Sequence, residues 1–139
     1  MPPQTPPILL IAVGNYLHGD EAVSHRVLSL LGSPSGVGML DSLHWSNDLA
    51  PRIAEAREVI FVDADARLGE PIMEPLDGRT PAGQIVACAR RDYRFNGRGY
   101  LCRVPGLEFG RRVTGLTAYA ESRARQAALL LRKFLGVKA

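Results

Sequence analysis

Two uninterrupted apolar runs limit what this chain can fold into more than any other feature. Ile8–Val13 and Val59–Val62 contain no polar residue. Strict alternation would mark a strand with one wet face. A continuous run marks a strand covered on both faces, as in a parallel sheet layered by helices. Neither run is long enough to cross a bilayer, which needs about 20 apolar residues. Each ends at a residue suited to a turn, Gly14 and Asp63.

The remaining segments alternate between the two types. Residues 20–31 place Val23, Val27, Leu30 and Leu31 at helical spacing, with Asp20 and Glu21 at the start, where the helix dipole favours carboxylates. Val37–Leu40, extending at most to Leu43, predicts a second strand. Ser46 or Asn47 caps a helix through Ala56, with Pro51 in its first turn. A short edge strand is expected near Ile72. Thr80-Pro81 predicts a helix to about Arg91, Tyr100–Val104 a further strand, and 118–135 a last helix whose inner stripe runs Ala120, Ala124, Ala127, Ala128, Leu131, Phe134, Leu135. Strands alternating with helices imply an α/β fold, a three-layer α/β/α sandwich around a mainly parallel sheet. At 139 residues the chain suits one domain over 8–139, preceded by a Pro-rich tail, 1–7, with none of the features of a signal peptide. A soluble, cytoplasmic protein without membrane partners is expected.

Composition excludes some functions. Two cysteines, Cys88 and Cys102, make neither a disulfide framework nor a zinc pattern, and their apolar neighbours predict buried thiols. The net charge of +3 invites a nucleic-acid reading. The arginines are scattered through the sequence, however, with no basic arm or aromatic-interleaved motif, so no nucleic-acid partner is expected. A basic face that steers an acidic protein partner fits the same residues.

The chemistry gathers at the ends of the two apolar strands. In open α/β sheets, ligands bind beyond the carboxyl ends of the strands, where strand order reverses. The first strand runs into Gly14-Asn15-Tyr16-Leu17-His18-Gly19-Asp20-Glu21, and the third ends at Asp63. If those strands are neighbours, Glu21 and Asp63 face one crevice. Gly14 and Gly19 have a phosphate-loop separation, but Asp20-Glu21 stand where Lys-Ser/Thr is needed and repel a phosphate. Paired carboxylates suit a divalent cation instead. His18 lies in the same loop, His44 follows the second strand on the same rim, and His25 reads as a surface residue of the first helix. No nucleophile elbow or H-E-x-x-H motif is present.

Leu9-Leu10-Ile11-Ala12-Val13-Gly14-Asn15, with Leu17 and Gly19-Asp20-Glu21-Ala22-Val23, resembles the opening of the nickel–iron hydrogenase maturation proteases, including an arginine in the second helical turn, Arg26. Val59-Ile60-Phe61-Val62-Asp63-Ala64, Tyr100–Gly106 and Gly115-Leu116-Thr117 are similar to later pieces of that family. The resemblance implies an α/β/α sandwich and a metal-associated, aspartyl-type endopeptidase that removes the C-terminal extension of a hydrogenase large subunit after nickel insertion. It implies a metal site of Glu, Asp and His, with Glu21 and Asp63 as the carboxylates. The family's histidine precedes the helix that here begins at Thr80-Pro81, and no histidine follows residue 44.

Two readings follow. In the first, Glu21 and Asp63 are catalytic and meet nickel carried by the substrate, or another divalent metal. His44 is the first candidate for the third ligand and His18 the second. Asn15, Gly19 and Asp20 position the substrate strand. In the second, the chain is a non-catalytic scaffold or chaperone for the large-subunit precursor.

Overall fold

The computed structural model describes residues 7–110 and 115–136. The tail expectation for 1–7 falls almost wholly on residues outside these. Five strands form one sheet: β1 (Ile8–Val13), β2 (Val37–Ser42), β3 (Glu58–Asp65), β4 (Ile72–Pro75) and β5 (Arg98–Pro105). Four described α-helices join them: α1 (Val23–Leu31), α2 (Ala50–Ala54), α3 (Pro81–Tyr93) and α4 (Ala118–Leu135). The strand order is β2-β1-β3-β5-β4. Every pairing is parallel except that of β4, which runs antiparallel along the outer side of β5.

The apolar runs behave as continuous strands must. Alternate residues of β1 feed opposite cores. Leu9, Ile11 and Val13 pack with Ile53 of α2 and with Ile85, Val86 and Ala89 of α3. Leu10 and Ala12 pack with Val23 and Val27 of α1 and with Ala120, Ala124 and Ala127 of α4. This is the expected three-layer sandwich. The alanine stripe of α4 brings it close against α1, where Glu121 takes a two-pronged contact from Arg26, at 2.8 and 3.3 Å.

Local capping signals sit where the sequence places them. Thr80 accepts from the Gly83 amide, and Thr117 accepts from the Ala120 amide. Three details differ from expectation. Asp20–Ala22 forms a 3-10 turn ahead of α1 rather than its first turn. β3 continues to Asp65, so Asp63 lies inside the strand. Phe134 is 42% exposed, because it leans on the edge of Tyr100 instead of entering the core.

The central strands are in flat register. Val13 lies beside Ser42 on one side and Asp63 on the other, and Asp63 lies beside Arg103. Strand order reverses between β1 and β3, so the crevice of the fold opens above Val13 and Asp63. Among the described residues no helix is long and apolar enough to cross a membrane. Because Ile11 is fully buried in the layer between β1, α2 and α3, Ile11→Ala is expected to cost about 2–5 kcal/mol in urea unfolding.

Candidate active site at the rim of the central strands

The loop from Gly14 to Glu21 turns tightly over the end of β1. A Cβ on Gly14 would stand 2.4 Å from the Glu21 carbonyl oxygen, so only glycine fits. The Gly14 amide donates to Ser42 O at 3.0 Å, tying the loop to β2. Buried Ser24 donates to Val13 O at 2.9 Å and ties the start of α1 to β1. Asn15 organises the interior of the loop. Its backbone amide donates to Glu21 Oε1 at 3.3 Å, and its side-chain oxygen accepts from Leu17 N at 2.9 Å.

Glu21 is thereby aimed by its own loop. Its other oxygen lies 3.0 Å from His18 Nδ1, and His18 Nε2 lies 3.4 Å from Asn15 Nδ2. A neutral imidazole with its proton on Nδ1 satisfies both contacts, donating to Glu21 and accepting from Asn15. His18 and Glu21 are both part-exposed, so the pair faces the crevice rather than the core.

Asp63 reaches the same crevice from β3. Its carboxyl is pushed up from an ordinary 3.8 to about 6. Burial is the main cause. The charges of Asp65 and Glu21 add to it, while a backbone hydrogen bond from Ala64 and the nearby Arg103 guanidinium oppose it. Glu21 and Asp63 therefore share an electrostatic neighbourhood. Repulsion between them is a minor part of the shift, and desolvation does most of it.

Asp20 takes a different part from its neighbour. It was expected to meet substrate, but it is fully buried and its oxygens are occupied. They accept from Leu107 N at 2.7 Å, Glu108 N at 3.0 Å, Thr117 N at 2.9 Å and Thr117 Oγ1 at 2.7 Å. Burial alone would raise the carboxyl, but the bonds from Glu108, Thr117 and Leu107 together hold it below its ordinary value. Asp20 is an anchor that binds the segment after β5 to the site loop. Gly19 is engaged as well, since its backbone forms an isolated antiparallel bridge with Phe109.

The other histidines also depart from expectation. His25 is no plain surface residue: its side chain is only 15% exposed. Its Nδ1 lies 2.6 Å from Asp41 Oδ1 and its Nε2 lies 2.7 Å from Gly14 O, two acceptors that a doubly protonated ring satisfies at once. His44 is exposed in the loop after β2, where its carbonyl accepts from Ser42 Oγ. The neighbouring Trp45 turns inward onto Phe61. His18, not His44, is the imidazole in contact with Glu21. Among the described residues no three His, Cys, Asp or Glu side chains are arranged to hold a metal ion. The residues present therefore do not fit a resident metal centre, and the donors on offer are Glu21, Asp63 and His18. Cys88 and Cys102 are buried, and burial pushes the Cys102 thiol up to about 12.

The two aspartates give opposite pH signatures. Asp20, lowered in the fold, contributes stability that is full above 3.8 and is lost as pH falls through its folded value. Asp20→Asn turns an amide NH2 toward backbone donors. It is expected to cost on the order of 3 kcal/mol at neutral pH, and less in acid. Asp63, raised in the fold, contributes stability below 3.8 that is lost as pH rises through about 6. Asp63→Asn is therefore expected to stabilise the chain at pH above 7 by up to about 3 kcal/mol, the gain fading toward pH 4. Urea unfolding of both variants at two pH values checks the pair.

No family model matches the chain. No curated protein matches it in sequence. Solved structures do match. A nickel–iron hydrogenase maturation protease HycI from Thermococcus kodakarensis KOD1 superimposes with TM-score 0.74 at 20% identity, covering 94% of this chain and 93% of that one. The hydrogenase maturating endopeptidase HybD from E. coli gives 0.73 at 22% identity, with 93% and 91% covered. A hydrogenase 2 maturation peptidase from a Thaumarchaeota archaeon gives 0.70 at 21%, with 94% and 99% covered. Over nearly its whole length, the chain has the fold of the nickel–iron hydrogenase maturation proteases.

Proposed function

We propose that this chain is an endopeptidase that removes a C-terminal extension from the large subunit of a nickel–iron hydrogenase after nickel has been inserted. The observation that supports the reading is the largely buried carboxyl of Asp63, raised to about 6 beside the switch point between β1 and β3, with the charge of Glu21 contributing to the rise. The solved structures of the same fold include proteases and peptidases of hydrogenase maturation.

The surroundings suit a peptide substrate. Exposed apolar side chains crowd the loops that follow the parallel strands: Tyr16 and Leu17 after β1, Leu43 after β2, Leu68 after β3, Leu107 and Phe109 after β5. Around two carboxylates, such side chains can hold an extended segment by its apolar residues while the acids meet the reacting bond.

Nickel, on this reading, is cargo of the substrate. Glu21, oriented by His18 and by the Asn15 amide, is the oxygen donor the chain offers to it. Asp63 moves the proton. With a carboxyl near 6, it is mostly ionised at neutral pH and still basic enough to take a proton from water as the water oxygen attacks the scissile carbonyl. The same proton then goes to the departing amine as the C–N bond breaks. On this reading His18 acts by orienting the Glu21 carboxylate, not as a metal ligand in place of the imidazole missing ahead of α3.

Nickel-loaded precursor incubated with the protein tests the reading by mass spectrometry of the large subunit. Wild type is expected to release the extension. Glu21→Gln and Asp63→Asn should each slow release by about a hundredfold or more. His18→Ala is expected to slow it measurably, and His44→Ala to leave it unchanged. Binding of the precursor without release, by folded wild type, would establish the scaffold reading in its place.

A further inference from the structure

Arginines scattered in sequence converge at the end of the sheet opposite the carboxylates. Arg90 and Arg91 lie in the last turn of α3 and Arg94 caps it. Arg98 opens β5, and Arg57 directly precedes β3, so these side chains share the face where the parallel strands begin. All five are exposed. Arg91 pairs with Asp92 at 3.1 Å. Among the described residues no carboxylate forms an ion pair with Arg57, Arg90, Arg94 or Arg98.

The fold builds this grouping. Arg98 N donates to Arg57 O at 3.0 Å, and Gly97 packs so tightly there that a Cβ would stand 2.0 Å from the same oxygen. Arg57 and Arg98 thus flank an open cleft of about 420 Å3, completed by Glu58, Asn96 and Gly97. Beside it the Arg90 guanidinium lies 5.3 Å over the ring of buried Phe95, while Tyr93 is 48% exposed. The negative end of the α3 dipole accounts for cations in its last turn. It does not account for Arg57 and Arg98, which come from other elements.

We propose that this arginine face is a docking surface for an acidic segment of a protein partner, separate from the peptidase rim. Guanidinium forks match carboxylates in two-pronged geometry. Glu58 and Asp92 interrupt the face, and discrete carboxylates on a peptide can be spaced to avoid them. A phosphodiester chain, charged at every step, cannot. Nor, among the described residues, does this face carry a row of exposed rings on which bases could stack, since Phe95 is buried and Tyr93 is a single exposed ring.

Fluorescence anisotropy with a labelled peptide of alternating Glu and Ala tests this, with a Gln-and-Ala peptide as the neutral control. Wild type is expected to prefer the Glu peptide at least about tenfold, with affinity falling as salt rises. Arg94→Glu with Arg98→Glu should abolish the preference, and circular dichroism checks that the variant is folded. Should the reversal unfold the chain, Arg94→Gln with Arg98→Gln is read in its place, with the same preference expected to fall. Arg67→Glu with Arg79→Glu, an equal charge change elsewhere, should retain it. Three outcomes overturn the proposal: no preference for Glu over Gln, an equal loss in the Arg67/Arg79 variant, or tighter binding of oligothymidylate than of the Glu peptide. Precursor trimming by the Arg94/Arg98 variant is read separately, so failure of this surface and failure of the peptidase reading remain distinguishable.

Discussion

A buried carboxylate holds the top of this molecule together. Asp20 belongs to the site loop, yet every hydrogen bond to its carboxylate comes from residues far along the chain, at 107, 108 and 117. An ionised group is costly to bury unless donors surround it, and here backbone amides and one hydroxyl do so. Thr117 serves twice, since the hydroxyl that donates to Asp20 also caps α4. The N-terminus of α4, the segment after β5 and the site loop are therefore one unit. Gly106 completes it, because a Cβ there would meet Asp20 Cβ and the Phe109 ring at 2.8 Å. Loosening this anchor frees the loop that aims Glu21.

Asp63 shows the opposite economy. It sits inside a buried strand with no donor cage comparable to that of Asp20, and its carboxyl rises for want of one. A fold selected for stability alone would place an amide or an apolar residue there. A poorly solvated acid near the charge of Glu21 is a local cost to stability at neutral pH. Two aspartates near one rim are thus separated by their surroundings into a caged anion held below its ordinary pKa and a poorly solvated acid raised above it.

Much of this was legible in sequence, and what was legible was local. The uninterrupted run of β1 implies cover on both faces whatever the rest of the chain does. Thr80-Pro81 announces a helix start through a bond within three residues. The influence of the Glu21 charge on Asp63 follows once β1 and β3 are neighbours. What stayed hidden depends on distant contacts. Asp20 and Glu21 are adjacent and chemically alike, and only the arrival of residues 107 to 117 separates their roles. His25 reads as helix surface until Asp41 of β2 and the Gly14 carbonyl are brought to its two ring nitrogens. The arginines look dispersed because Arg57 and Arg98 are joined by a fold contact, not by sequence.

The flat register of the sheet works as a ruler for this site. Val13, Ser42, Asp63 and Arg103 lie in one row across four strands, and side chains in such a row point to a common side. One residue added to or removed from β3 would turn Asp63 to the other face of the sheet and set Val62 or Ala64 in its place. Length changes between β3 and β4 leave the row untouched. Loop length at the rim can therefore change without moving this row, whereas a one-residue change inside β1 or β3 breaks it.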